Sequence, residues 1–208
     1  MSYKPILDRK ALEVEIDEYL ASKLRDAGYG GMTLERTPLN YKLTIYAMRP
    51  GLVIGHRGSG IRALTEELSR KFHLDNLTLG VSEVQVPELN PRIMASRIVQ
   101  MVERGIPFRR AANTALRMIM EKGALGCEII IAGKLRTERA HSEKFRAGIV
   151  PKSGEPAEVA VREAKVSVTL KLGTYGVKVR IVDPSLLRPP IIIKEQAQQA
   201  GQAGGGAS

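Results

Sequence analysis

Val53-Ile54-Gly55-His56-Arg57-Gly58-Ser59-Gly60-Ile61-Arg62-Ala63-Leu64 sets a Gly-x-x-Gly turn directly ahead of an amphipathic helix. Ile61, Leu64, Leu68 and Phe72 recur at helical spacing on one side. Arg62, Glu66, Glu67, Arg70 and Lys71 fall on the other. The turn is not a P-loop, because no Lys-Ser or Lys-Thr follows its glycines. It is not a dinucleotide loop either, because the spacing is Gly-x-x-Gly-x-Gly and no strand runs straight into it. Two close glycines let another backbone approach without a Cβ in the way. The free N–H groups and the dipole at the helix start favour a phosphate there, with His56 and Arg57 at the tip.

Ahead of this stretch, Leu12, Ile16, Tyr19, Leu20, Leu24 and Ala27 line one face of a predicted helix, with Asp8 as its cap and Gly28 as its end. Residues 31–38 and 41–48 alternate as strands around a turn at Pro38-Leu39-Asn40. Behind it, Leu77, Leu79 and Val81 begin a further strand, and the shift of phase to Val84 and Val86 predicts a bulge. Pro87, Asn90 and Pro91 then interrupt regular structure. The charge changes at the same place. Residues 1–87 carry 12 Lys+Arg against 11 Asp+Glu, and residues 88–208 carry 20 against 11. Two domains are therefore expected, 1–87 and 88–190, with a disordered tail at 191–208 made largely of Gln, Ala and Gly. The second domain should hold helices at 92–104 and 107–121. Four strands should follow: around Ile129–Ile131, at 140–150, at Ala164–Leu170 and at Val177–Ile181. The fold class expected is α+β.

The net charge of +10 over 208 residues points to a polyanionic partner. One cysteine, Cys127, and three histidines exclude a disulfide scaffold and leave too few ligands for a zinc finger. Apolar runs are too short to span a bilayer, and the first ten residues lack the apolar centre of a signal peptide. A cytoplasmic protein with no cofactor, no metal and no membrane partner is expected. No nucleophile–base pair, metalloprotease motif or facing carboxylate pair is present, so an enzyme is not expected. With three Phe, six Tyr and no Trp, base stacking is a minor mode and backbone electrostatics must dominate.

Val-Ile-Gly-x-x-Gly-x-x-Ile-x-x-Leu, from Val53 to Leu64, resembles the core pattern of the KH nucleic-acid-binding domain at every fixed position. A helix ahead of the first strand is similar to its prokaryotic-type (type II) arrangement. That resemblance implies a clamp on a single-stranded backbone of about four nucleotides. Arg109-Arg110-Ala111, Gly123-Ala124-Leu125-Gly126-Cys127-Glu128, Gly133-Lys134-Leu135 and Gly173-Thr174-Tyr175-Gly176-Val177-Lys178-Val179 resemble the C-terminal domain of the third protein of the small ribosomal subunit, in its archaeal and eukaryotic form. The resemblance covers about residues 5–183. It implies a structural constituent of the subunit head that binds small-subunit rRNA and meets mRNA at its entrance channel. It also implies neighbouring head proteins as partners and a part in opening structured mRNA without nucleotide hydrolysis.

Two basic clusters accord with this on their own. On the helix 107–121, Arg109, Asn113 and Arg117 are spaced by four with Arg110 beside them, while Phe108, Ala112, Ala115 and Ile119 form the opposite face. Bacterial members of the family carry a third basic residue where this chain has Asn113. The second cluster is Lys134, Arg136, Arg139, Lys144 and Arg146 against Glu138 and Glu143. The candidate RNA-binding residues are therefore Gly55, His56, Arg57, Gly58, Arg109, Arg110, Arg117, Lys134, Arg136, Arg139, Lys144 and Arg146. The competing reading is a free KH-type RNA-binding factor in ribosome assembly or RNA decay.

Overall fold

A computed structural model describes residues 4–184 except 38, 39, 75, 136 and 172. Its order is α1 (Lys4–Lys23), β1 (Tyr29–Arg36), β2 (Tyr41–Ala47), α2 (Pro50–Ile54), α3 (Ser59–Phe72) and β3 (Leu77–Glu83). Then come α4 (Pro91–Glu103), α5 (Phe108–Glu121), β4 (Gly126–Gly133), β5 (His141–Gly148), α6 (Glu155–Val159), β6 (Val161–Leu170) and β7 (Gly173–Val182). The class is α+β, with two sheets and two main cores.

The first sheet has the order β1-β2-β3. β1 and β2 form an antiparallel hairpin, and β3 returns parallel to β2. A parallel return needs a crossover, and α2, the glycine turn and α3 supply it. The turn is therefore part of an obligatory connection and not a decoration on a hairpin. Ile16 and Leu20 from α1, Leu64 and Leu68 from α3, and Leu43 and Ile45 from β2 close this core. α1 starts at Lys4, so Asp8 lies within the helix and not at its cap. The turn residues Pro38 and Leu39 fall outside the described positions.

The expected bulge at Val84 and Val86 does not form. β3 ends at Glu83, and the shift of phase marks a strand end ahead of a short 3-10 turn at Pro87–Leu89. The irregular pairing lies instead between Tyr29 and Gly31 of β1. Pro91 opens α4 at a position where its missing N–H costs nothing, and the Asn90 side chain accepts from the Arg92 amide to cap the helix.

The second sheet runs β5-β4-β7-β6, all antiparallel. α4 and α5 pack on one face, where Met94, Ile98, Ala115 and Ile119 meet Cys127, Ile129, Ile131, Val179 and Ile181. The weak alternation at 140–150 proves to be a full edge strand, β5. The tail expected at 191–208 lies outside the described residues.

Polar contacts cross between the two layers. Arg92 donates to both carboxylate oxygens of Asp17 at 2.6 and 2.7 Å, and Tyr29 Oη donates to the same group at 2.6 Å. Asn90 Nδ2 donates to the Gly30 carbonyl at 2.9 Å. Burial, followed by the facing Asp17 carboxylate, pushes the Tyr29 hydroxyl pKa well up, so Tyr29 remains a donor at any working pH. We infer that residues 1–87 and 88–190 are separate folding units stitched here. Arg25, just beyond α1, also donates to Glu103 of α4 at 2.8 Å. Replacing Asp17, Asn90 and Glu103 together by Ala removes these three stitches, and with Asn90 the α4 cap, and is expected to cost about 3 kcal/mol. Calorimetry should then show one melting transition becoming two; a single unshifted transition would count against separate units.

Candidate nucleic-acid interface

The glycine turn holds a backbone few residues adopt. Gly55 has φ 68° and ψ −179°, Arg57 φ 53° and ψ 28°, and Gly58 φ 78° and ψ 12°. A positive φ is unstrained for glycine but costs an arginine on the order of 1 kcal/mol or more. Arg57 is thus held against its own preference, with its side chain and that of His56 exposed. Gly58 sits at the N-cap of α3, where no side chain bonds the helix start and no acidic residue lies in the first turn. The start of α3 is thus left without a side-chain cap beside two exposed basic side chains, and with the helix dipole this is a combination suited to a phosphodiester.

One residue outside the Gly-x-x-Gly pattern proves essential to this shape. A Cβ on Gly60 would lie 2.6 Å from the Val53 carbonyl oxygen and 3.0 Å from that of Ile54. α2 and α3 touch backbone to backbone there. The signal was present in the sequence, as a third glycine two places after Gly58.

On α5, Ala111, Ala112, Ala115 and Ile119 are buried, and Arg109, Arg110, Asn113 and Arg117 are exposed; Phe108 is only half-buried. The four polar side chains are not equivalent. Arg109 makes a two-point pair with Glu143 on β5, at 2.8 and 2.9 Å, which raises its pKa further. Arg110 and Arg117 have no carboxylate within salt-bridge distance among the described residues. The arginine row is therefore one anchored guanidinium followed by two free ones.

The second cluster is split by the sheet. Lys134 and Arg139 lie on the β4–β5 loop, exposed and without an ion-pair partner among the described residues. Lys144 and Arg146 lie on β5, on the sheet face away from the helices, whereas Glu143 turns toward α5. Lys144 approaches Glu128 at 3.9 Å, and Arg146 donates to the Val150 carbonyl at 3.4 Å. Arg136 lies outside the described residues.

Sequence patterning did not find the acidic residues that order this face. Glu128 looks like an interruption in an apolar strand, yet it is almost fully buried on the helix-free side. Arg180 donates to it at 3.0 Å, and Lys152 and Lys144 stand nearby. Burial opposes its ionisation, but the Arg180 bond and the two lysine charges outweigh that and hold its carboxyl below the usual range. Glu163 on β6 receives Lys178 at 2.7 Å and Arg180 at 2.8 Å. Burial again works the other way, and hydrogen bonds from Lys178, Arg180 and Lys165 pull its pKa to about 2. A carboxyl depressed on folding stabilises the fold above its unfolded pKa, and that contribution disappears as pH falls through the folded value. Between about pH 4.5 and pH 2, Glu163→Gln should flatten the acid-side fall in melting temperature. A fall as steep as the parent's would rule out Glu163 as its source.

Cys127 is fully buried, and desolvation, with a smaller push from Glu128, raises its thiol to about 12, so it is a core residue and not a nucleophile. Among the described residues no His, Cys, Asp and Glu cluster could hold a metal ion, and no helix is long and apolar enough to cross a membrane.

A parallel return across an uncapped Gly-x-x-Gly turn, with a helix ahead of the hairpin, defines a KH domain, and the KH domain family matches residues 15–89. The family described as ribosomal protein S3, C-terminal domain, matches residues 98–181. Curated relatives align with most of the chain. The small ribosomal subunit protein uS3 of Methanothermobacter thermautotrophicus is 49% identical over 174 residues, which cover 84% of this chain and 67% of the relative. That of Staphylothermus marinus is 48% identical over 88% of this chain and 82% of its own length. That of Thermofilum pendens is 48% identical over 88% and 91%. The chain belongs to the small ribosomal subunit protein uS3 family, whose members are structural ribosomal proteins and not enzymes.

Proposed function

We propose that this protein binds small-subunit rRNA in the head of the subunit and helps line the channel by which mRNA enters it, working in the cytoplasm among neighbouring head proteins. The observation that carries the RNA-binding reading is the glycine turn, with Arg57 held at positive φ beside an uncapped helix start. In this reading Gly55 and Gly58 admit the strand, His56 and Arg57 contact its phosphates, and Lys134, Arg136, Arg139, Lys144 and Arg146 grip rRNA. Arg109, Arg110 and Arg117 face the mRNA. Guanidinium donors fit any phosphate without demanding a base, which suits a channel that passes every message.

The test replaces His56 and Arg57 by Asp in the full chain. Aspartate tolerates the left-handed conformation at position 57 better than arginine, so the fold should survive. Affinity for single-stranded RNA should fall, and the slope of log K against log salt should flatten by about 0.7 for each phosphate no longer neutralised. Unchanged affinity and slope would reduce the turn to a connection.

A further inference from the structure

The face of the second sheet that carries no helix has a depression of about 350 Å³, with Ile130, Ala132 and Gly176 in its floor and Ser167, Lys165 and Lys178 at its side. Gly176 lies in the middle of β7, paired with Ala132 on one side and Ser167 on the other. A glycine inside a strand weakens it, and it is kept where another chain comes close. The other glycines of this sheet have reasons inside the molecule. A Cβ on Gly126 or Gly148 would collide with the carbonyl of Ile149 or Leu125, and Gly133 has φ 151° and faces the Thr174 carbonyl. Gly176 has neither excuse. Its φ is not positive, and an added Cβ would meet nothing within 4 Å.

The rim has its own imbalance. Lys165 and Lys178 stand directly opposite each other on neighbouring strands, an unfavourable pairing unless an anion intervenes. They share one carboxylate, Glu163, at 3.3 and 2.7 Å, and that group also serves Arg180. Positive charge is left over beside an apolar floor.

We propose that this depression is a docking site for a protein segment that seats an apolar side chain over Gly176 and places an Asp or Glu between Lys165 and Lys178. The floor favours a protein over RNA, because the Ile130 and Ala132 side chains offer a phosphate no donor, whereas Lys144 and Arg146, which are left to rRNA, stand across β4 from the depression on the edge strand β5. The partner is a neighbour in the assembled subunit, so the proposal rests on the ribosomal reading above.

The test uses the full chain carrying Thr169→Cys, exposed on the same face just outside the depression, labelled with a benzophenone maleimide and assembled into small subunits. The native Cys127 is fully buried and does not compete for label. Sedimentation with the subunit checks the ribosomal reading by itself; the cross-link then checks the docking site. A cross-link to a protein segment with an apolar residue next to an acidic one is expected. Adding Gly176→Val should fill the depression and cut the yield about tenfold, the scale of a missing anchor residue, without lowering the melting temperature of the free protein. Should Gly176→Val misfold, Lys165→Glu, on an exposed side chain, should weaken the same cross-link through charge. Cross-linking to RNA alone, no cross-link in subunits that hold the protein, or a yield that neither variant changes would each overturn the proposal.

Discussion

Replacing Gly60 by valine is expected to abolish RNA binding by the N-terminal half although Gly60 offers a ligand nothing but its backbone. Its Cβ would press on two carbonyl oxygens of the α2 end, at 2.6 and 3.0 Å. Backbone oxygens cannot swing aside as a side-chain tip can, so α2 or α3 must move. Overpacking of this kind costs about 3 kcal/mol, a large share of the stability of a small domain. The movement falls on the joint that sets Gly55, Arg57 and Gly58 at positive φ. Alanine at the same position should be milder but of the same sign, since its Cβ is the atom that collides. The comparison is a melting curve beside an RNA titration for the Ala and Val variants. A valine variant that melts like the parent would show that α2 and α3 have room to separate.

The second large effect is expected on α5. In the proposed reading all three arginines face the mRNA, but Arg109 is paired with Glu143, so Arg110 and Arg117 are expected to contribute more to RNA affinity. Reversing both to Glu takes two cations from the phosphates and adds two repulsions. The salt slope for single-stranded RNA should fall by about 1.4, two phosphates at about 0.7 each. Neither side chain touches the core, so folding and incorporation into subunits should persist. Translation through a stable downstream hairpin should slow sharply, while an unstructured message should be read nearly as before. Arg109→Ala alone should do less to RNA binding than either reversal, because it removes a tethered group. If Arg109→Ala proves the most damaging of the three, the Glu143 pair opens in the assembled subunit. If the double reversal reads hairpins as the parent does, the arginine row does not meet mRNA.

Much of this architecture was legible before any coordinate. Period-2 and period-3.6 patterns located every long element, because α3, α5, β6 and β7 each bury one clean face. The Gly-x-x-Gly run announced its turn because glycine takes the positive φ required at Gly55 and Gly58 without strain. What stayed hidden was pairing across distance. Val84 and Val86 looked like a continuing strand, since nothing local says where β2 ceases to offer a partner. Glu128 looked like a flaw in an apolar run, since Arg180 is 52 residues away in sequence. Arg109 looked as free as Arg110, since its partner Glu143 sits on another element, 34 residues on. A cluster counted along the chain records charge but not which charges already neutralise each other.

The strand order β5-β4-β7-β6 has a bearing on how the chain comes into being. β7, the last of the described strands to leave the ribosome that makes it, belongs between β4 and β6. Until residue 182 has been synthesised, β4 has an open edge, Ile129 and Ile131 lack the neighbours Val179 and Val177, and the Glu128 carboxylate waits for Arg180. The first sheet suffers no such delay, because all three of its strands are complete by Glu83. A nascent chain of this protein therefore carries a finished front and an unfinished back for about a hundred residues of elongation, several seconds or more at ordinary rates of synthesis. In the second half of that interval, from Gly133 to Val182, the unpaired edge of β4 and the bare faces of α4 and α5 are the parts in need of a chaperone.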